Sequence, residues 1–317
     1  MTPVFVIAAP DYTHRSAGVR ALYRLCHHLN ATGYRAGMMA MPGHEIHTPS
    51  PWNAPSFGGD IGDAIAIYPE VVAGNPFGVR RVVRWALNNP GLLGGEPRFA
   101  DDEMVFVFNP DRIAIVNRAV AVPIDERRVL NFGLVDPRII HPGPSRRRSV
   151  DCVYTGRRQD RRARFPLPLD PAPVELEHET PTLDALGALL RRTRTLYSYD
   201  HASNVLREAA ISGCTVRVVD DDGRWHDPET CTCPHNIHWE RGFRQTYARR
   251  FRDHGFVDGF IAELRTRWAI PDPRWPYRTR RAAARWLAGL GRSRPLPAII
   301  PKGAAGDATP PSRPASR

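Results

Sequence analysis

Along the first third of the chain, short unbroken apolar runs alternate with stretches in which apolar residues recur every three or four positions. Val4-Phe-Val-Ile-Ala-Ala9 is apolar throughout, which suits a strand buried on both faces. Val19, Leu22, Leu25 and Leu29 then mark one face of a helix reaching about Thr32, with Ser16 as its cap and Gly33 as its stop. Arg35 to Met41 and Ala64 to Tyr68 read as further strands. Phe77 to Asn89 reads as a helix, and Met104 to Phe108 returns to strand. Strands alternating with helices predict an α/β fold with a doubly wound sheet.

The pattern then breaks and restarts. Residues 138–149 are rich in Pro, Gly and Arg (His141-Pro-Gly-Pro-Ser-Arg-Arg-Arg148) and predict a linker over 141–149. Asp151-Cys-Val-Tyr-Thr-Gly156 opens a second α/β unit, Val174 to Glu177 is another strand, and Pro181 to Arg192 is a helix with Leu183, Leu186, Leu189 and Leu190 on one side. Next comes the block Leu196-Tyr-Ser-Tyr-Asp200-His-Ala-Ser-Asn-Val-Leu-Arg-Glu208-Ala-Ala-Ile-Ser-Gly213, followed by Cys-Thr-Val-Arg-Val-Val219. It reads as strand, turn, helix, glycine stop and strand. The helix N-terminus falls near Asp200, Ser203 and Asn204, where free backbone N–H groups suit a phosphate. Glu208, further along the helix, can accept hydrogen bonds from sugar hydroxyls. Phosphate and hydroxyl binding side by side suit a nucleotide-sugar, although any strand–helix–strand unit can carry two acids with no ligand at all.

Asp200, seven residues, Glu208 and then Ala-Ala-Ile-Ser-Gly213 resembles the donor-binding motif of GT-B-fold glycosyltransferases, most of all the retaining family 4 type. Ile67-Tyr-Pro-Glu70, Gly74-Asn-Pro76 and Val82-Val-Arg-Trp-Ala-Leu-Asn88-Asn-Pro-Gly91 are similar to the acceptor side of exopolysaccharide and rhamnosyltransferase-like members. The resemblance implies two Rossmann-like domains facing an interdomain cleft. The acceptor-side domain would span 1–140, the donor domain 150–265, a C-terminal helical segment 266–291 and a disordered basic tail 292–317. It implies that Glu208 binds the ribose and that Asp200, one methylene shorter than the family's usual Glu, approaches the transferred sugar. Gly18 would lie in the loop brought toward the donor phosphates. Arg157 or Arg158, after the Gly of the donor domain's first strand, would meet the pyrophosphate through bidentate contacts. A solvated basic loop is the other reading of those two arginines. His14 lies in the loop that would face the cleft and is a candidate catalytic residue.

Composition changes this picture in two places. Net charge is +11, which invites a nucleic-acid partner. From Arg274 on, however, there are nine Arg, one Lys and one Asp, leaving 34 basic and 32 acidic residues before it. The basicity belongs to the C-terminal end, so no nucleic-acid partner is expected for the body. Five scattered cysteines argue against a secreted disulfide framework and for the cytoplasm. Arg278 to Leu290 can form a basic amphipathic helix with Trp286, Leu287 and Leu290 as anchors. Such a helix would touch the inner face of a membrane or pack across the domain junction, as the last helix of GT-B proteins often does.

One competing cluster remains, Cys231-Thr-Cys233-Pro-His235-Asn-Ile-His238. It has four zinc-type donors but lacks the separated knuckles of zinc modules, so no metal is expected. There is no nucleophile elbow, P-loop or Gly-x-Gly-x-x-Gly after the first strand. The expected activity is a metal-independent, retaining hexosyl transfer from a nucleotide-sugar to a saccharide or lipid-linked saccharide, with no cofactor beyond that co-substrate. The alternatives are a non-catalytic GT-B-like binder of nucleotide-sugar or partner, and a module whose basic tail does the binding.

Overall fold

The first apolar run, Val4–Ala9 (β1), is buried at every position and lies between two parallel neighbours, Arg35–Ala40 (β2) and Ile65–Pro69 (β3). The computed structural model describes residues 3–41, 43–143, 148–201, 203–230 and 242–273. Those residues fall in one unit, Met1–Arg274. Helix α1 (Ala17–Ala31) follows β1; Ser16 Oγ accepts from Val19 N, and Gly33, at φ 96°, turns the chain toward β2. Beyond β3 the sheet continues with Arg81–Ala86 (β4) and Met104–Val107 (β5), in the order β2-β1-β3-β4-β5.

Strand β4 corrects the helix expected over Phe77–Asn89. Its run from Val82 to Ala86 is buried on both faces and pairs with β3 on one side and β5 on the other. An apolar run this short fits a central strand or a helix equally well, and the two open strand edges decided it. Buried Arg84 in its middle is held by Glu103 and by the carbonyls of Val72 and Gly74.

The second half repeats the plan. After helix α2 (Ile113–Val116) of the first half come Val150–Tyr154 (β6), helix α3 (Gln159–Arg164), Val174–Glu175 (β7), short helix α4 (Leu176–Glu179), helix α5 (Leu183–Arg192), Thr193–Ser198 (β8), helix α6 (Val205–Ser212), Thr215–Val219 (β9) and Trp225–His226 (β10). The sheet order is β10-β9-β8-β6-β7, parallel except for β10. Within each half the first strand is flanked by the second on one side and the third on the other. The strand order therefore reverses between β1 and β3, and again between β6 and β8. Open α/β sheets bind ligands beyond the carboxyl ends of strands at such reversals.

Two crossings join the halves. Leu134 packs on the first core and Val135 on the second, just ahead of the Pro- and Gly-rich stretch at 141–149. The return runs from helix α7 (Phe243–Arg252), whose Phe243 belongs to the second core, to helix α8 (Phe256–Arg265). Val257, Phe260, Ile261 and Leu264 of α8 sit in the first core with Phe5 and Phe106. The crossings touch: Gly133 N donates to Arg250 O at 3.3 Å, and Asn131 Oδ1 accepts from the Arg250 guanidinium. Among the described residues, no helix is long and apolar enough to cross a membrane. The basic helix expected over 278–290 and the tail lie outside them.

Candidate functional site

Three loops leave the carboxyl ends of the reversal-point strands toward one cleft. The first follows β1. Tyr12 stacks edge-on against Tyr23 and Trp52, and Tyr23 donates its hydroxyl proton to Pro10 O, which pins this loop. His14 and Arg15 at its end both reach the second half. His14 Nε2 lies 3.1 Å from Thr180 O, and Arg15 Nη2 donates to Glu177 O at 2.8 Å. A carbonyl only accepts, so Nε2 carries the proton and Nδ1 keeps its lone pair. Burial, with nearby Arg20 and Arg15 adding to it, holds the His14 pKa below its ordinary value; the imidazole stays neutral near pH 7.

The second loop follows β6. Gly156, at φ 58°, packs so closely that a Cβ there would lie 2.5 Å from Asp200 Oδ2. Its N–H and that of Thr155 both donate to Glu177 Oε1, at 2.6 and 3.1 Å. That carboxylate is thus compensated by backbone donors. The third loop follows β8 and leads into α6. Ser203 Oγ accepts from Val205 N at 3.3 Å, and Asn204 Nδ2 donates to Glu208 Oε1 at 3.2 Å.

Glu208 is 2% exposed, and so is its partner from the opposite half, Arg20 on α1. Arg20 Nη1 donates to Glu208 Oε1 at 2.6 Å. Both bonds to Glu208 fall on Oε1. Around this pair opens a cleft lined by His14, Arg15, Arg20, Tyr154, Glu177 and Glu208, with Ser203 and Asn204 at the α6 end. Burial pushes the Tyr154 phenol up to about 12, so it remains protonated.

Four of the residues named from the sequence meet here: His14, Ser203, Asn204 and Glu208. Four lie off the cleft lining. Asp200 sits at the end of β8 against Gly156. Gly18 is in the first turn of α1, with Leu87 Cδ1 3.5 Å from where its Cβ would be. Arg157 and Arg158 are exposed, and Arg158 pairs with Asp160 at 3.1 Å. The positive charge at the cleft comes instead from Arg15 and Arg20, which sequence reasoning passed over. A signal existed: Arg20, Arg24 and His28 recur every four residues on α1, and all three are buried.

Cys231, Cys233, His235 and His238 lie outside the described residues. Among those described, no group of three or more His, Cys, Asp or Glu is arranged to hold a metal ion. Cys26, Cys152 and Cys214 are buried thiols. His226 pairs with Asp220 at 2.5 Å in the β9–β10 turn. Compared with protein-family models, with curated proteins and with solved structures, the chain finds no match in any of the three.

Proposed function

We propose that this chain is a GT-B-like glycosyltransferase. It would move a hexosyl group from a nucleotide-sugar to a saccharide or lipid-linked saccharide, in the making of a cell-surface polysaccharide. The observation that carries the reading is Glu208, a buried carboxylate on the helix after a reversal-point strand, lining a cleft to which both halves contribute. Its Oε2, free of the two bonds on Oε1, is the natural acceptor for ribose hydroxyls.

The other groups suit the same ligand. His14 Nδ1 would accept a hydroxyl proton of the bound sugar, its Nε2 being fixed on Thr180 O. Arg15 and Arg20 oppose the charge that develops on a departing diphosphate, an effect worth most in a site that excludes water. The paired crossings at Gly133 and Arg250 are where the halves would hinge to close. The C-terminal return of α8 onto the first half also accords with a GT-B chain path. The proposed setting is the cytoplasm, at the inner face of the membrane where the acceptor is lipid-linked.

The position of Asp200, beside Gly156 and off the cleft lining, favours a second reading in which the chain binds a nucleotide-sugar without transferring it. Two measurements decide. A thermal-shift screen should find a nucleoside diphosphate that stabilises the full chain, as any ligand selective for the folded state must. Glu208→Gln should then weaken that ligand about tenfold or more and abolish transfer. The Gln variant is preferred to Ala, because its amide oxygen still accepts from the buried Arg20, whereas Ala would leave that guanidinium with no acceptor. Unchanged turnover in Glu208→Gln would remove the assignment; binding without any transfer would select the second reading.

A further inference from the structure

The Arg20 guanidinium is only half used. Nη1 holds Glu208 Oε1 at 2.6 Å, while Nε is buried and has no hydrogen-bond partner among the described residues. Nε and Nη2 form the side-on fork of an arginine, the edge that grips two oxygens of one phosphate. A buried ion pair gains over its desolvation cost only when its remaining protons are also bonded. Arg20, at 2% exposure and crossing between halves on a single bond, is incomplete as a purely structural pair. It lines the cleft beside Arg15, whose Nη2 is already committed to Glu177 O. The neighbouring Glu177 carboxylate makes no claim on Arg20, being held by Thr155 N and Gly156 N.

We infer that Arg20 is the phosphate-binding residue of this cleft, supplied by the opposite half from Glu208 and oriented by it, so that one ligand carrying both hydroxyls and a diphosphate engages the pair together. Glu208 takes the ribose and keeps Arg20 Nη1, which leaves the buried, unpartnered Nε edge for the diphosphate. This role rests on the nucleotide-sugar reading above and assigns its phosphate contact to α1, in place of the exposed Arg157 and Arg158. It also makes the ligand a bridge between the halves.

The test measures affinities of the full chain for uridine and UDP, guanosine and GDP, adenosine and ADP, and thymidine and dTDP. In the wild type, the preferred diphosphate should bind more tightly than its nucleoside. Arg20→Met should remove about tenfold or more from the diphosphate while leaving the nucleoside unchanged or tighter. Arg20→Lys, which keeps the charge but loses the fork, should show a smaller loss confined to the diphosphate. Glu208→Gln should weaken nucleoside and diphosphate alike. The double variant Arg20→Met/Glu208→Gln buries no lone charge. If Arg20→Met does not fold, Arg20→Lys against wild type and the double variant against Glu208→Gln read the same difference. Equal diphosphate affinity with and without Arg20, or equal losses on nucleoside and diphosphate, would overturn the phosphate role and leave the nucleotide site standing. If no nucleoside or diphosphate binds, both readings fall.

Discussion

The residue that best exposes the chemistry beside the two crossings is His28, which the cleft does not use. Arg24 Nη2 lies 3.1 Å from its Nε2, and a guanidinium only donates, so Nε2 must accept. The proton therefore rests on Nδ1 and is given to His254 Nδ1 at 2.6 Å. Phe132 and Phe256 pack against the ring. Burial, then the Arg24 charge, drives the pKa of His28 far below its ordinary 6.5. The unfolded chain binds this proton below about pH 6.5 and the folded chain does not. The stabilisation is thus complete above that pH and is lost as pH falls, at up to about 1.4 kcal/mol per unit. Denaturant unfolding at pH 7.5, 6.5 and 5.5 should show this slope, and His28→Leu should flatten it by nearly one proton. An unaltered slope in His28→Leu would mean that other groups carry the acid sensitivity.

At the scale of elements, the sheets were legible where hydrophobic runs were bounded by capping residues. Ser16 before α1, Thr182 before α5 and Gly213 after α6 act as their chemistry requires: the two hydroxyls accept from Val19 N and Ala185 N, and Gly213 takes φ 90°. Residues 77–89 were not legible, because a strand buried on both faces has no period of two to betray it. The α6 half of the site was readable from Glu208 and its glycine stop. The α1 half was hidden because Arg20 looked like one more surface arginine among many.

Two glycines, one at the crossings and one on the return helix α8, predict opposite outcomes. A Cβ on Gly133 would lie 2.5 Å from Phe251 N, backbone that cannot swing aside, so Gly133→Ala should cost about 1–3 kcal/mol. Gly259, exposed on α8 with nothing within 4 Å of its would-be Cβ, should gain up to about 1 kcal/mol as Ala. Matched denaturant curves check both; an unaffected Gly133→Ala would mean that the crossings are not tightly packed.

For the whole molecule the decisive feature is how charge is divided. The residues before Arg274 carry 34 basic and 32 acidic side chains, while the remainder carries nine Arg, one Lys and one Asp. A nearly neutral body with two arginines at its cleft would hold the proposed nucleotide by contacts at the cleft rather than by a long-range field. If binding and transfer belong to the cleft, they are independent of the basic end. Truncation after residue 273, which removes the whole basic end, should therefore leave the affinity for a nucleoside diphosphate and donor turnover within twofold of the full chain. Retention on vesicles containing anionic lipid is the property that should fall, and added salt should weaken it further, because that attraction is screened over about 10 Å at 0.1 M. Loss of nucleotide affinity on truncation would move the binding function out of the cleft and into the basic end. Binding and turnover that survive it, with vesicle retention lost, would assign chemistry to the folded body and location to the last residues.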